Sequence, residues 1–292
     1  SPLLDEIDVE AAKYHYDQKS FAEAVRALSV FAESCNDPGA CEEGRYYYAV
    51  SLMGAEQVEK AASVTQSFFR DFPLSTWGPK LHLKLGNLLI RQGRVSESLL
   101  QYQGAAETSS DSTTAFLALK NLGIANQDLK RWKDAERVWT QVLNRFPASE
   151  YAPEAALNVA RCKMEYGDYR GAVEAYERSL PLLDTESKAR AFYWMGTSFE
   201  QLGDYQAAVV QYLKVPYLAS GGGLWVVTAE LKAAECYARL DRNDAASEMY
   251  NRIIGKYGAG SNWGKLAKKG LDNIGQSTTG SERDSNSGGS SQ

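Results

Sequence analysis

At 292 residues, 44% of them apolar and 24% charged, the chain has material for a substantial core, as one long array or as two domains. A net charge of −5 gives no electrostatic reason to expect nucleic acid or an anionic membrane surface as the main partner. No apolar run approaches the roughly 20 residues that cross a bilayer as a helix.

The chain opens Ser1-Pro2-Leu3-Leu4, without an initiator Met or a signal peptide, and reads as a mature or trimmed chain. An export signal or a lipid-bearing Cys that anchors the protein would then lie upstream of Ser1. Cys35 and Cys41 flank Asn36-Asp37-Pro38-Gly39-Ala40, a turn-forming stretch able to bring their Cα atoms within disulfide range. Two readings stay open: a disulfide, which argues for an oxidising compartment, or two ordinary thiols at a loop.

From the first residues onward the chain repeats itself. A small residue recurs at Ala24, Ala61, Ser98, Ala135, Ala172, Ala208 and Ala246, spaced by 37, 37, 37, 37, 36 and 38 residues. Twelve residues before each stands Gly or Ala: Ala12, Ala49, Gly86, Gly123, Ala160, Gly196 and Ala234. Four residues after each stand Leu28, Thr65, Tyr102, Trp139, Tyr176, Tyr212 and Tyr250, all large except Thr65. Two antiparallel helices approach closely only where side chains are small, and large residues fill the space beside that contact. Turns such as Gly167-Asp168-Tyr169 and Gly203-Asp204-Tyr205 join the two helices, with Gly ending one and Asp able to cap the next. One hairpin cannot bury both of its faces, so neighbours must stack.

Seven hairpins fit, near 5–38, 42–75, 79–112, 116–149, 153–186, 189–222 and 227–260. In the second, Tyr46-Tyr47-Tyr48 puts three consecutive aromatics on one helix, which cannot all face inward. At least one is expected at the surface, as a contact site or packed on the first hairpin. Two loops, Phe72-Pro73-Leu74-Ser75-Thr76-Trp77-Gly78-Pro79 and Phe146-Pro147-Ala148-Ser149-Glu150-Tyr151-Ala152-Pro153, share the pattern Phe-Pro-x-Ser-x-aromatic-x-Pro. The first Pro stops a helix, the Ser is placed to cap the next, and the second Pro suits a helix's first turn. Ser220-Gly221-Gly222-Gly223 reads as a flexible joint, and 264–274 as a capping helix, giving an array over 5–274. Residues 275–292 are Gly/Ser/Thr-rich without apolar residues and are expected to be disordered.

No residue pattern points to catalysis, a metal or a cofactor. His15 and His82 lack the spacing of a metal site. Cys162 and Cys236 share one repeat position, otherwise small or apolar, and read as buried packing residues.

The unit Trp194-Met195-Gly196-x2-Phe199-x3-Gly203-x-Tyr205-x2-Ala208-x3-Tyr212 resembles the tetratricopeptide repeat, and the resemblance covers about residues 5–274. It implies an all-α fold: a right-handed superhelical solenoid of about seven helical hairpins with a C-terminal capping helix. It also implies a non-catalytic scaffold or adaptor whose partners are other proteins. The Phe-Pro-x-Ser loop resembles that of bacterial periplasmic members, of the outer-membrane assembly lipoprotein and Tol–Pal coordinator kinds. That implies a periplasmic or outer-membrane-associated protein in a cell-envelope complex. Two alternatives stay open: a structural subunit that binds through its convex face or ends, and a cytoplasmic co-chaperone-like module. Oligomeric state is not read from the sequence.

In this family the first helix of each hairpin lines a concave groove. The family's ligand-facing positions fall here on Lys84 and Asn87, Lys120 and Asn121, Asn158 and Arg161, and Arg190, Tyr193 and Trp194. Amides serve the donors and acceptors of an extended backbone, cations pair with carboxylates, and aromatics anchor apolar side chains. The alternative is a set of solvated polar residues. The groove loosely resembles the carboxylate clamp of chaperone-binding members, but Lys84 and Asn87 are three apart where the clamp wants four.

Overall fold

A computed structural model describes residues 2–35, 37–219 and 224–286. The expected joint at Ser220–Gly223 and the tail beyond Asn286 lie outside the described residues. Among the described residues the chain is a helical repeat of fifteen α-helices without a strand. It divides into two compact units, Ser1–Pro147 and Ala148–Gln292, with the boundary inside the second Phe-Pro loop.

The first unit holds four antiparallel hairpins. These are α1 (Pro2–Asp17) with α2 (Phe21–Ser34), α3 (Pro38–Gly54) with α4 (Val58–Asp71), α5 (Gly78–Arg91) with α6 (Val95–Thr108), and α7 (Ser112–Asp128) with α8 (Trp132–Arg145). The second unit holds α9 (Ala152–Glu165) with α10 (Tyr169–Ser179), α11 (Thr185–Gln201) with α12 (Tyr205–Leu218), and α13 (Leu224–Arg239) with α14 (Asn243–Tyr257), closed by α15 (Asn262–Asn286). No helix among the described residues is long and apolar enough to cross a membrane.

The small and large positions of the repeat meet inside each hairpin. Trp139, Tyr176 and Tyr212 are fully buried. A Cβ on Gly123 would lie 2.7 Å from the Trp139 ring, and one on Gly196 would lie 2.7 Å from the Tyr212 ring, closer than carbon atoms approach. The glycines therefore let the two helices close over an aromatic ring.

Every hairpin turns in the same way. The N–H of the second helix's N-cap residue reaches back five residues to a carbonyl of the first helix: Ser20 to His15, Gln57 to Leu52, Arg94 to Leu89, Arg131 to Asn126, Asp168 to Lys163, Asp204 to Phe199 and Arg242 to Tyr237. This is a Schellman closure, which needs one left-handed residue before the cap. Gly93, Gly167 and Gly203 supply it in three hairpins, at φ of 71°, 91° and 77°. Lys19, Glu56, Lys130 and Asp241 supply it in the others, at φ of 56–58°. Asp168 and Asp204 also cap by side chain, accepting the Gly171 N–H at 3.0 Å and the Ala207 N–H at 2.9 Å.

In the Phe-Pro loops, Phe72 and Phe146 end α4 and α8, and Pro79 and Pro153 stand in the first turns of α5 and α9. The serines do not act as N-caps. Ser75 Oγ accepts the Trp77 N–H at 3.1 Å and Ser149 Oγ accepts the Tyr151 N–H at 3.3 Å, so each closes a local turn one step before its helix. In Ser261-Asn262-Trp263-Gly264, which repeats the Ser-x-aromatic part of the loop, Ser261 stands directly before α15 and does cap it, accepting the Gly264 N–H at 2.9 Å. Trp77 packs on Tyr46, with ring centroids 4.4 Å apart. Of the tyrosine triplet, Tyr46 is buried, while half-buried Tyr47 meets Tyr16 of the first hairpin at 5.7 Å.

Two stretches differ from the sequence reading. Pro181 has no N–H to offer a helix, and α10 passes at Leu180–Leu182 into a 3₁₀ turn. The terminal helix does not stop at Ile274 but runs to Asn286, into the stretch expected to be disordered. No proline interrupts residues 275–286, and a helix already nucleated on a docked segment extends at little cost.

A candidate binding surface on the first helices

The predicted groove residues fall on the first helices of hairpins three to six and divide between the units. Lys84, Asn87, Lys120 and Asn121 belong to the first unit; Asn158, Arg161, Arg190, Tyr193 and Trp194 belong to the second.

In the first unit α5 and α7 lie side by side, and Asn121 Nδ2 donates to Asn87 Oδ1 at 2.9 Å. The same Asn87 oxygen accepts the hydroxyl of Tyr102 at 2.8 Å. The Asn87 oxygen thus joins the two first helices and the core of its own hairpin. Lys84 donates to the Tyr16 hydroxyl at 3.2 Å and lies 5.8 Å from that ring's centre, so it reaches across to α1. Lys120 stands half-buried on α7, flanked by Leu117 and Ile124, which are 40% and 38% exposed.

The second unit holds an open cavity of about 680 Å³ between α9, the 3₁₀ turn and α11. Asn158, Arg161, Arg190 and Trp194 converge on it, with Leu157, Leu182 and Tyr176. Asn158 Nδ2 donates to the Glu154 carbonyl at 3.0 Å. Arg161 reaches toward Glu165 at 4.0 Å and keeps 53% of its side chain exposed. Arg190 donates to the Ser187 hydroxyl at 3.1 Å. Asp184 caps α11 through the Ser187 N–H at 2.7 Å, and that bond holds its carboxyl below the ordinary range.

Tyr193 and Trp194 do not stand as free anchors. Tyr193 meets Trp194, Trp225 and Tyr212 at centroid distances of 5.0, 5.1 and 5.7 Å, and Trp194 meets Trp225 at 5.8 Å. Burial pushes the Tyr193 hydroxyl above its ordinary pKa. Tyr193 is thus partly buried, packed among α11, α12 and α13, and Trp194 alone of the pair reaches the cavity. The sequence reading missed Trp225, which lies outside the groove register. It also missed Tyr176, visible in the sequence only as a core aromatic.

The other candidates settle elsewhere. Cys35 and Cys41 form a disulfide, with Cα atoms 5.6 Å apart. Cys162 and Cys236 are buried, and burial pushes the Cys236 thiol up to about 12. His82 stacks on Phe69 at 3.9 Å with its Nδ1 2.9 Å from Gln101 Oε1.

Residues 160–217 and 228–259 match the tetratricopeptide repeat family. No curated protein sequence matches the chain. Among solved structures, the chain is similar to one in the Naa15/Naa10 assembly bound to HypK-THB, with 14% identity and a TM-score of 0.66 over 92% of this chain. It spans only 39% of that chain's length. It is also similar to the C-terminal part of a tetratricopeptide repeat-containing protein from Cytophaga hutchinsonii, at 16% identity and a TM-score of 0.61 over 90% of this chain and 99% of that one. YrrB, described as a tetratricopeptide protein with an unusual peptide-binding site, matches at 17% identity and a TM-score of 0.50 over 70% of this chain and 97% of that one. With the hairpin geometry, the family matches identify the chain as a tetratricopeptide repeat protein, a helical-repeat scaffold for protein interaction.

Proposed function

We propose that the protein is a non-catalytic adaptor that holds an extended segment of a partner protein on the first-helix face of its second unit, within a bacterial cell-envelope complex. The observation that carries the binding reading is the cavity where Asn158, Arg161, Arg190 and Trp194 converge. It joins amide, cationic and aromatic groups on one open surface, the combination that grips a peptide through backbone, charge and side chain. The peptide-binding site ascribed to YrrB, a protein of similar fold, lends support. The compartment rests on two features: the Phe-Pro-x-Ser loop, which resembles that of periplasmic members of the family, and the Cys35–Cys41 disulfide, a bond that persists where thiols are not kept reduced.

Two measurements test this. A photo-crosslinking residue at position 157, in the cavity, should join the native partner, while one at exposed position 137 on α8 should not. Equal capture from both would move the contact to the second helices and favour a structural subunit. Exposed Tyr217 and Val210, seven residues apart on α12, would be the place to look. Thiol alkylation of fractionated native cells should find Cys35 and Cys41 oxidised in the envelope fraction; a reduced cytoplasmic pool would sink the compartment.

A further inference from the structure

Wherever one hairpin follows another within a unit, two positions of its first helix are shut away from solvent. Five residues before the small Gly or Ala stand Gly44, Leu81, Ala118, Ala191 and Ala229, all buried. Two residues after it stand Ser51, Leu88, Ala125, Ser198 and Cys236, at most 1% exposed. The two positions are seven residues apart and share one helix face. The preceding hairpin covers that face: a Cβ added to Gly44 would run into the Phe31 ring of α2. In the first hairpin the same positions hold Ile7 and Tyr14, 54% and 64% exposed, with exposed Ala11 between them. A repeat that ends an array turns a polar face outward. The α1 helix instead presents an apolar stripe, in the register that elsewhere receives a neighbour.

Charge says what kind of neighbour fits. The α1 helix carries five acids against Lys13, and Glu6, Asp8, Glu10 and Asp17 are exposed. Lys13 is engaged at home, 2.6 Å from Glu10 and 2.7 Å from Glu43. The other end of the chain is basic: from Asn262 to Ile274, α15 carries three lysines against Asp272, and Lys265, Lys268 and Lys269 are all exposed. Beside them Leu266 is 51% exposed. Gly270 keeps the repeat spacing, 36 residues after Ala234, so α15 stands as the first helix of an eighth hairpin with no second helix among the described residues.

We propose that the α1 face docks a second copy of the chain head to tail, the α15 end of one copy covering Ile7 and Tyr14 of the next. Leu266 supplies apolar contact, and Lys265, Lys268 and Lys269 meet the acidic flanks of α1. Two α1 faces meeting each other would set acid against acid, which disfavours the symmetric pairing. Because the contact joins two different surfaces, a bound pair still has one free end of each kind and accepts further copies. It uses no residue of the cavity between α9 and α11, so it holds whether or not that cavity grips a partner.

Sedimentation velocity of the full chain, over about a hundredfold range of concentration, reads the assembly. An interface built from one helix at each end is small, so the equilibrium should shift visibly across that range. Wild type should pass from monomer through dimer to longer species, and added salt should return it toward monomer. Ile7→Asp with Tyr14→Asp blocks the α1 end; Lys265→Glu with Lys268→Glu and Lys269→Glu blocks the α15 end. Each variant should stay monomeric by itself. Mixed one to one, the two should form a dimer and nothing larger, since one intact end of each kind remains. All five substitutions fall on exposed residues, and unchanged melting temperatures separate a lost contact from a lost fold. A wild-type chain that is monomeric at every concentration overturns the proposal and leaves the α1 face to some other occupant. Association that survives in either variant overturns it too; survival in the α15 variant alone marks two α1 faces meeting. A mixture of the two variants that stays monomeric is equally fatal.

Discussion

The hydroxyl of Tyr102 donates to Asn87 Oδ1 at 2.8 Å, tying the buried core of the third hairpin to its first-helix surface. Tyr102 is only 2% exposed, so removing the acceptor strands its hydroxyl. Asn87→Ala is therefore expected to lower unfolding free energy by about 1–3 kcal/mol, and Asn87→Ala with Tyr102→Phe to recover part of that loss. A double-mutant cycle in urea checks it; strictly additive losses would refute the coupling.

Gly196 faces Tyr212, whose ring would stand 2.7 Å from an added Cβ. Gly196→Ala forces apart two helices packed on a rigid, fully buried ring and should cost about 1–3 kcal/mol. Ala160 and Ala234 hold the same position over Tyr176 and Tyr250, so the substitution should destabilise without abolishing the fold. Thermal melts of the variant check this; an unchanged midpoint would mean that the helices there are loosely packed.

His82 lies against Phe69 and Gln101, and burial lowers its pKa, only partly offset by the hydrogen bond to Gln101. The unfolded chain, with an ordinary value of about 6.5, then binds a proton that the folded chain refuses. Stability contributed by the neutral ring is complete above that value and declines as pH falls from it toward the lower folded value. Denaturation midpoints of wild type and His82→Gln should diverge above pH 6.5 and draw together on acidification. Parallel curves would show that His82 titrates alike in both states.

The disulfide joins cysteines six residues apart. Closing so short a loop removes about 2 kcal/mol of chain entropy from the unfolded state. Reduction, or Cys35→Ser with Cys41→Ser, should lower the protection of the first hairpins against hydrogen exchange. Exchange in α9 to α15 should stay unchanged.

The hairpins were legible because their logic is local: a small residue, a large one and a turn at constant offsets. The binding surface was legible only as a list of helix positions. Helical spacing says that Asn87 and Tyr193 share a face with Lys84 and Trp194, but not that Tyr102 claims the Asn87 oxygen or that Trp225 encloses Tyr193. Such partners arrive from other helices, and no periodicity within one helix encodes them. The cavity depends on Leu182, which Pro181 places by ending α10 in a 3₁₀ turn. A single residue outside the repeat pattern thus shapes the site. The serine of the Phe-Pro loop misled for a related reason: capping depends on one residue of register, which Ser261 has and Ser75 and Ser149 lack.

The hairpin closure carries a consequence for engineering. Because backbone hydrogen bonds impose the left-handed turn, Lys19, Glu56, Lys130 and Asp241 adopt it despite carrying a Cβ. Replacing each by glycine relieves that strain, with an expected gain of about 0.5–1 kcal/mol after the added freedom of the unfolded chain is counted. The four sites lie in separate hairpins at exposed tips, so the gains should add. A more heat-resistant scaffold is within reach through four substitutions that leave every first-helix surface residue as it is.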